Sequence, residues 1–220
     1  MLDLFTGIIQ ELGVLEQKKK GSNDFQLTIG AQKITADLSR GESVAVNGVC
    51  LTVVEFADDY FIADVMPETV KKTNLGQLNR GDQLNLELPM TADRFFGGHL
   101  VTGHIDGQGW VKSIDRTGNA RLLTLDMEDG LEKYLVSKGS VALNGVSLTI
   151  VELEENSLTV SLIPETWEQT NFNVLQTGHQ INIETDIIGK YIVKMIENNN
   201  LRQEDSSNIS KEFLQENGFL

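Results

Sequence analysis

The stretch from Ser43 to Glu55, Ser-Val-Ala-Val-Asn-Gly-Val-Cys-Leu-Thr-Val-Val-Glu, is written again from Ser140 to Glu152 as Ser-Val-Ala-Leu-Asn-Gly-Val-Ser-Leu-Thr-Ile-Val-Glu. Ser147 stands 97 positions after Cys50, and the same spacing returns at Met66-Pro67-Glu68-Thr69 against Ile163-Pro164-Glu165-Thr166. Each copy opens on a related motif, Leu4-Phe5-Thr6-Gly7-Ile8-Ile9 in one and Leu100-Val101-Thr102-Gly103-His104-Ile105 in the other. A chain repeated in this way builds one fold twice. The informative positions are those where the copies differ, above all Cys50 against Ser147 and Ile8 against His104.

Short alternating or apolar runs bounded by Gly, Asn and Asp predict strands at Gly7 to Leu15, Phe25 to Ile29, Ser43 to Val46, Leu51 to Phe56, Tyr60 to Val65 and Gln83 to Leu88. The second copy repeats the order with Gly103 to Val111, Ala120 to Leu125, Ser140 to Leu143, Leu148 to Leu153, Ser157 to Leu162 and Gln180 to Thr185. Asn47-Gly48 and Asn144-Gly145 predict type I′ hairpin turns, which need φ > 0 twice. Short helical insertions are expected at Ala31 to Leu38 and Glu128 to Val136. No stretch is long enough for βαβ crossovers, so the fold class is all-β, two tandem antiparallel barrels. Pro89 to Gly98 reads as a linker. After Asp186 the period changes: Ile188, Tyr191, Ile192, Met195 and Ile196 fall on one face of a C-terminal α-helix. The expected divisions are residues 1–97 for the first barrel with its linker, 98–186 for the second, 187–198 for the helix and 199–220 for a polar tail.

Composition limits the partners. With 18 Lys and Arg against 32 Asp and Glu the formal charge is −14, which repels nucleic-acid phosphates and anionic membrane surfaces but not small neutral ligands. The single cysteine cannot form an internal disulfide and suits the cytoplasm. Neither a signal peptide nor a run of about 20 apolar residues is visible. An unpaired apolar helix face predicts packing on the barrels or on copies of the same chain.

Taken in order, Phe5-Thr6-Gly7-Ile8-Ile9, Asn47-Gly48-Val49-Cys50-Leu51-Thr52-Val53, Met66-Pro67-Glu68-Thr69, Gly97-Gly98-His99-Leu100-Val101-Thr102-Gly103-His104-Ile105-Asp106-Gly107 and Asn144-Gly145-Val146-Ser147-Leu148-Thr149 resemble the riboflavin synthase α-chain family over residues 3 to 196. The resemblance implies two Greek-key barrels of about six strands each, each a lumazine-binding module, in a homotrimer held partly by C-terminal helices. It implies a transferase without metal or organic cofactor, in which two molecules of 6,7-dimethyl-8-ribityllumazine exchange a four-carbon unit to give riboflavin and 5-amino-6-ribitylamino-uracil. Its active site forms where the first barrel of one subunit meets the second barrel of its neighbour. Association with lumazine synthase belongs to the same expectation. A dismutation of this kind gains much of its rate by holding two copies of one heterocycle together, while dissimilar pockets assign them different tasks.

Among the residues carried over by the resemblance, Cys50 supplies a polar or transiently nucleophilic group, against the alternative of a small buried hydrophobe. His104 assists proton transfer from the lumazine C7 methyl, or is a satisfied structural histidine. Ser147 and Thr149 hydrogen-bond the heterocycle or polarise a water, or else satisfy local backbone. Asp186 orients the neighbouring subunit's chemistry or caps the following helix. Gly7, Ile8, Ile9, Ser43, Leu51, Thr52, Gly103, Ile105, Lys138 and Leu148 are further ligand-binding positions. So are the two segments Asp64-Val65-Met66-Pro67-Glu68-Thr69 and Ser161-Leu162-Ile163-Pro164-Glu165-Thr166, which otherwise read as ordinary strand-ending turns.

The chain departs from the family pattern in three places. Leu2-Asp3-Leu4 intervene where many members begin Met-Phe-Thr-Gly, Asn144 stands where relatives often carry Asp, and the segment after Asn198 is longer than the family requires. Two rival classes are a non-catalytic lumazine or flavin carrier of the same fold and an FAD-binding reductase barrel. The second should bring a nucleotide-binding βαβ domain, which the sequence lacks.

Overall fold

The computed structural model describes residues 3–20, 25–92, 95–204 and 211–219. Met1, Leu2, Gly21 to Asp24, Asp93, Arg94, residues 205–210 of the polar tail and Leu220 lie outside the described residues. The first copy forms β1 (Glu11–Lys20), β2 (Phe25–Gly30), β3 (Ser43–Val46), β4 (Val49–Phe56), β5 (Tyr60–Val65) and β6 (Gln83–Glu87), with a short helix α1 (Pro67–Lys72) between the last two. The second forms β7 (Gly107–Thr117), β8 (Ala120–Met127), β9 (Ser140–Leu143), β10 (Val146–Leu153), β11 (Ser157–Leu162) and β12 (Gln180–Thr185), with α2 (Pro164–Gln169) in the matching place. Helices α3 (Ile187–Glu204) and α4 (Lys211–Glu216) follow.

Each set closes into an antiparallel barrel, in the order β1-β2-β5-β4-β3-β6 and its counterpart β7-β8-β11-β10-β9-β12. Closure leaves no unpaired edge among the described strands. Register shifts occur at Leu15/Gln17 and Val53/Glu55, and again at Val111/Ser113 and Ile150/Glu152, so the bulges that bend the strands were duplicated with the sequence. Alternate residues turn inward to two separate cores, one around Leu15, Ile29, Val53, Phe61 and Leu84, the other around Leu125, Ile150, Val160, Phe172 and Ile183.

Three local expectations are corrected. The first strand of each copy begins later than expected, at Glu11 and at Gly107, because Gly7 and Gly103 bond instead to Ser147 and Cys50 of the other barrel. The helical insertions shrink to single 3-10 turns at Ile34–Asp37 and Glu132–Tyr134. The Pro-Glu-Thr segments are helix starts and not turns: Pro67 and Pro164 occupy the first helical turn, where a missing N–H costs nothing and the fixed φ favours the helix.

The two barrels meet through polar groups. Both Asn-Gly turns have positive φ at both residues, and they sit back to back, so that a Cβ on Gly48 would lie 2.6 Å from the Gly145 nitrogen. Around them six buried asparagines, Asn47, Asn74 and Asn85 and their repeats Asn144, Asn171 and Asn182, satisfy one another. Asn74 N–H donates to Asn182 Oδ1 at 2.7 Å and Asn171 N–H to Asn85 Oδ1 at 2.7 Å. Asn85 Nδ2 donates to the Asn144 carbonyl at 3.0 Å, and Asn182 Nδ2 to the Asn47 carbonyl at 2.9 Å. Burial of so many amides is stable only because each finds partners.

Candidate functional sites at the exchanged segments

Residues preceding each barrel cross to the other one. Phe5 and Val101 form an antiparallel bridge, with N–H···O distances of 2.7 and 3.1 Å. Beyond it, Ser147 N–H donates to the Gly7 carbonyl at 2.8 Å, and Cys50 N–H to the Gly103 carbonyl at 3.0 Å. Ile9 packs against the second core and Ile105 against the first. Both glycines are required: φ is +76° at each, and a Cβ would stand 2.6 Å from Ser147 Cβ or 2.5 Å from Cys50 Cβ.

Buried carboxylates fix these crossings. Glu87 accepts from Thr6 N and Thr6 Oγ1, both at 2.7 Å, and from Gly7 N at 3.0 Å. Glu184 accepts from Thr102 N at 2.6 Å, Thr102 Oγ1 at 2.7 Å and Gly103 N at 3.0 Å. Burial pushes both carboxyl groups above the usual carboxylate range, with these hydrogen bonds opposing it.

Two related sites result. On the second barrel a cleft of about 520 Å³ is lined by Gly7, Ile8, Ile9, Ser147, Glu165 and Thr166. Ser147 Oγ lies 2.8 Å from Nδ1 of His99, whose ring is 6% exposed. His99 Nε2 is buried without a hydrogen-bond partner among the described residues. Burial holds the imidazole below its ordinary pKa, against the charge of Asp186. Asp186 also caps α3, accepting from Ile188 N–H at 2.9 Å.

On the first barrel the corresponding surface carries Cys50, Gly103, His104 and Ile105. His104 and Ile8 are both exposed, so neither copy uses this position for core packing. Cys50 is half-buried; burial raises its thiol most, hydrogen bonding by Ser43 opposes this, and the charges of Asp3 and Glu184 add to the rise. Ser43 is buried and donates to Asp3 Oδ2 at 2.6 Å.

The remaining expected residues divide by what they present. Thr52, Thr149, Met66, Glu68, Ser161, Ile163, Pro164 and Glu165 are exposed, while Thr69, Thr166, Pro67 and Leu148 are half-buried. Asp64 accepts from Gln26 Nε2 at 3.0 Å, and Glu68 pairs with Lys72 at 3.0 Å. Leu51, Val65 and Leu162 point into the barrel cores, which leaves only their backbone to a ligand. Lys138 is exposed in the left-handed region with φ +65°, where the first copy uses Gly41 at +88°. Keeping a side chain there costs about 1–2 kcal/mol that glycine escapes.

His99 and Asp3 were not among the sequence candidates. They occupy equivalent places in the repeat, each two residues before the Phe5–Val101 bridge, and that polar mismatch was the available signal. Among the described residues, no three His, Cys, Asp or Glu side chains cluster as metal ligands would, and no helix is long and apolar enough to cross a membrane.

The lumazine binding domain model matches this chain twice, at residues 6–89 and 102–186. A riboflavin synthase of Bacillus subtilis (strain 168) is 46% identical over 216 residues, spanning 98% of this chain and 100% of its own length. A riboflavin synthase of Actinobacillus pleuropneumoniae is 42% identical over 219 residues, with 98% and 100% covered. Among solved structures, LumP complexed with 6,7-dimethyl-8-(1'-D-ribityl) lumazine matches with a TM-score of 0.75 at 26% identity, over 82% of this chain and 98% of that one. LumP complexed with riboflavin matches with a TM-score of 0.77, at the same identity and coverage.

Proposed function

The chain belongs to the riboflavin synthase family, and from that premise we propose that it is a transferase using its two related sites on two molecules of 6,7-dimethyl-8-ribityllumazine. One molecule gives up a four-carbon unit and the other accepts it. The products, riboflavin and 5-amino-6-ribitylamino-uracil, together contain the atoms of the two substrates, so no external oxidant or reductant enters the balance.

The observation that carries this reading is the pair of sites built alike but equipped differently. At the second barrel, His99 kept neutral by burial is suited to take the Ser147 proton. Ser147, or a water it polarises, then adds to the bound heterocycle. At the first barrel, His104 stands where a proton leaving the C7 methyl can be received, and Cys50 and Thr52 face the other lumazine. Two lumazines held in register replace a bimolecular encounter with a positioned one.

In the same reading the working particle is a cytoplasmic homotrimer, in which each first-barrel site meets the second-barrel site of a neighbour, and it associates with lumazine synthase. The exposed face of α3 supports assembly: Ile188, Tyr191, Ile192, Met195 and Ile196 are 52–67% exposed on one chain, an apolar stripe that an oligomer would bury.

The test is incubation of purified protein with 6,7-dimethyl-8-ribityllumazine and no added cofactor. One riboflavin should form for every two lumazines consumed. A stable fluorescent complex without riboflavin would replace the synthase reading with a carrier.

A further inference from the structure

The segment of residues 102–106, which carries His104 to the first-barrel site, is stitched along the end of β12. At one end Glu184 accepts from the Thr102 and Gly103 N–H groups. At the other, Asp106 N–H donates to the Ile183 carbonyl at 2.9 Å, and Asp106 Oδ2 accepts from Thr185 N–H at 2.8 Å and Thr185 Oγ1 at 2.9 Å. The same oxygen meets Lys190 Nζ at 2.6 Å, and the side chains of Lys190 and Asp106 are 21% and 22% exposed. His104 and Ile105 lie between these two anchors.

Lys190 comes from the start of α3, on the side away from its apolar stripe. With about 3.6 residues per turn, it points nearly half a turn from the centre of the face formed by Ile188, Tyr191, Ile192, Met195 and Ile196. Ile187, Gly189, Lys190 and Val193 are half-buried where that face is exposed. At Gly189 the helix runs so near the 3-10 turn Glu132–Tyr134 that a Cβ would stand 2.9 Å from the Tyr134 carbonyl oxygen. Seating on the barrel and the apolar stripe thus use opposite sides of one helix.

The first copy has the same stitching in a weaker form. Gln10 N–H donates to the Leu86 carbonyl at 2.9 Å, as Asp106 does to Ile183, and Gln10 Oε1 accepts from Leu88 N–H at 3.2 Å, as Asp106 does from Thr185. Leu88 offers no hydroxyl, and Pro89 and the linker follow it where α3 follows Thr185. The segment held in this neutral way carries Ile8, and the one held by the charged clasp carries His104. Charge-assisted hydrogen bonds are shorter and stronger than neutral ones, so the reinforcement accompanies the imidazole.

We propose that Lys190 and Asp106 are positioning residues for His104: the start of α3 fastens the far end of the segment that presents this imidazole at the first-barrel site. This rests on the reading of His104 as the group that receives the lumazine proton. An exposed side chain outside a regular strand is held to a productive geometry by the bonds on either side of it. Glu184 supplies one side from within the barrel, and the helix supplies the other. Neither Lys190 nor Asp106 needs to touch the ligand.

In the full-length protein, Lys190→Met should lower kcat about 10- to 100-fold, since a misplacement of about 1 Å can cost about 100-fold. The riboflavin Kd, read by fluorescence quenching, should stay within about twofold, the split expected when transition-state stabilisation is lost and binding is kept. Lys190→Arg, whose guanidinium also donates to a carboxylate, should recover most of the rate. Asp106→Asn keeps an oxygen for Thr185 and is the milder second variant; it should move kcat in the same direction. Added to His104→Gln, Lys190→Met should slow turnover no further, because the two act as one unit. Light scattering should give the wild-type mass for Lys190→Met. A second readout needs no turnover: with isotope-labelled histidine, the His104 ring signal should shift or broaden in Lys190→Met, while that of His179, at the other end of β12, stays in place. An unmoved His104 signal, an equal slowing by Lys190→Met with and without His104, or a reduced mass overturns the proposal. A wild-type protein that makes no riboflavin overturns the synthase reading, and the histidine spectrum then decides by itself whether Lys190 positions His104.

Discussion

His99 Nδ1 lies 2.8 Å from Ser147 Oγ, joining the segment after the linker to the second barrel's hairpin. Burial holds this imidazole below its ordinary pKa, so it is the neutral ring that meets the hydroxyl at pH 7. His99→Gln should lower turnover by about 100-fold or more, the range of a positioned acid–base group, with a smaller change in lumazine affinity. The wild-type rate should fall only at pH values below about 6.5, as the ring protonates. Steady-state kinetics across pH check this; an unchanged acid limb in His99→Gln would remove His99 from the proton transfer.

The asparagine cluster makes a prediction about stability that leaves chemistry aside. Asn85→Ala and Asn182→Ala each strand several buried partners and should cost about 3 kcal/mol. Asn144→Asp should be milder, about 1 kcal/mol. Its Oδ1 accepts from Asn182 N at 2.9 Å and Asn74 Nδ2 at 3.0 Å, contacts a carboxylate retains, while only a long 3.5 Å donation to Asn171 is lost. Urea unfolding measures all three, and equal costs would contradict this account.

Glu87 and Glu184 set a pH dependence with a definite sign. Burial raises both carboxyl pKa values, so between the ordinary carboxylate range and the raised values the folded chain binds more protons than the unfolded one. Stability from this source is present at acid pH and lost as pH rises through that window. Replacing both with Gln should flatten the slope of unfolding free energy against pH from about 4.5 upward. Each Gln also places an amide donor against Gly7 or Gly103 N–H, so absolute stability falls while the slope is the diagnostic. A slope identical to wild type would reject the assignment.

For the trimer, Tyr191 is the informative position because it is large, central to the apolar face of α3 and 67% exposed. Tyr191→Asp places a charge in the stripe and should reduce the mass measured by light scattering to about one third. An unchanged mass would mean that another surface holds the assembly.

Much of this could be read along the chain, because repetition and two-residue alternation are local properties. Apart from β1 and β7, which begin four residues later than expected, the described strands follow the predicted runs closely, and the Asn-Gly pairs give the type I′ turns that a doubled positive φ demands. The Pro-Glu-Thr segments read as turns but start helices, because proline punctuates turns and helix starts alike. Asn47 and Asn144 read as turn chemistry and the other four asparagines carry no local signal, since an amide reveals a buried partner only when the partner, as far as 135 positions away, is in place.

By itself, then, the sequence determined that one barrel was built twice, which turns close each strand pair, and that Cys50 and Ser147 divide the copies. The tertiary structure alone decided that the leading segments exchange barrels, setting Gly7 on Ser147 and Gly103 on Cys50. It also decided that His99 reaches Ser147 while Asp3 reaches Ser43. The physical reason is that these contacts join distant segments through hydrogen bonds whose direction and burial depend on how the two closed barrels dock, and no local pattern in the chain encodes that docking.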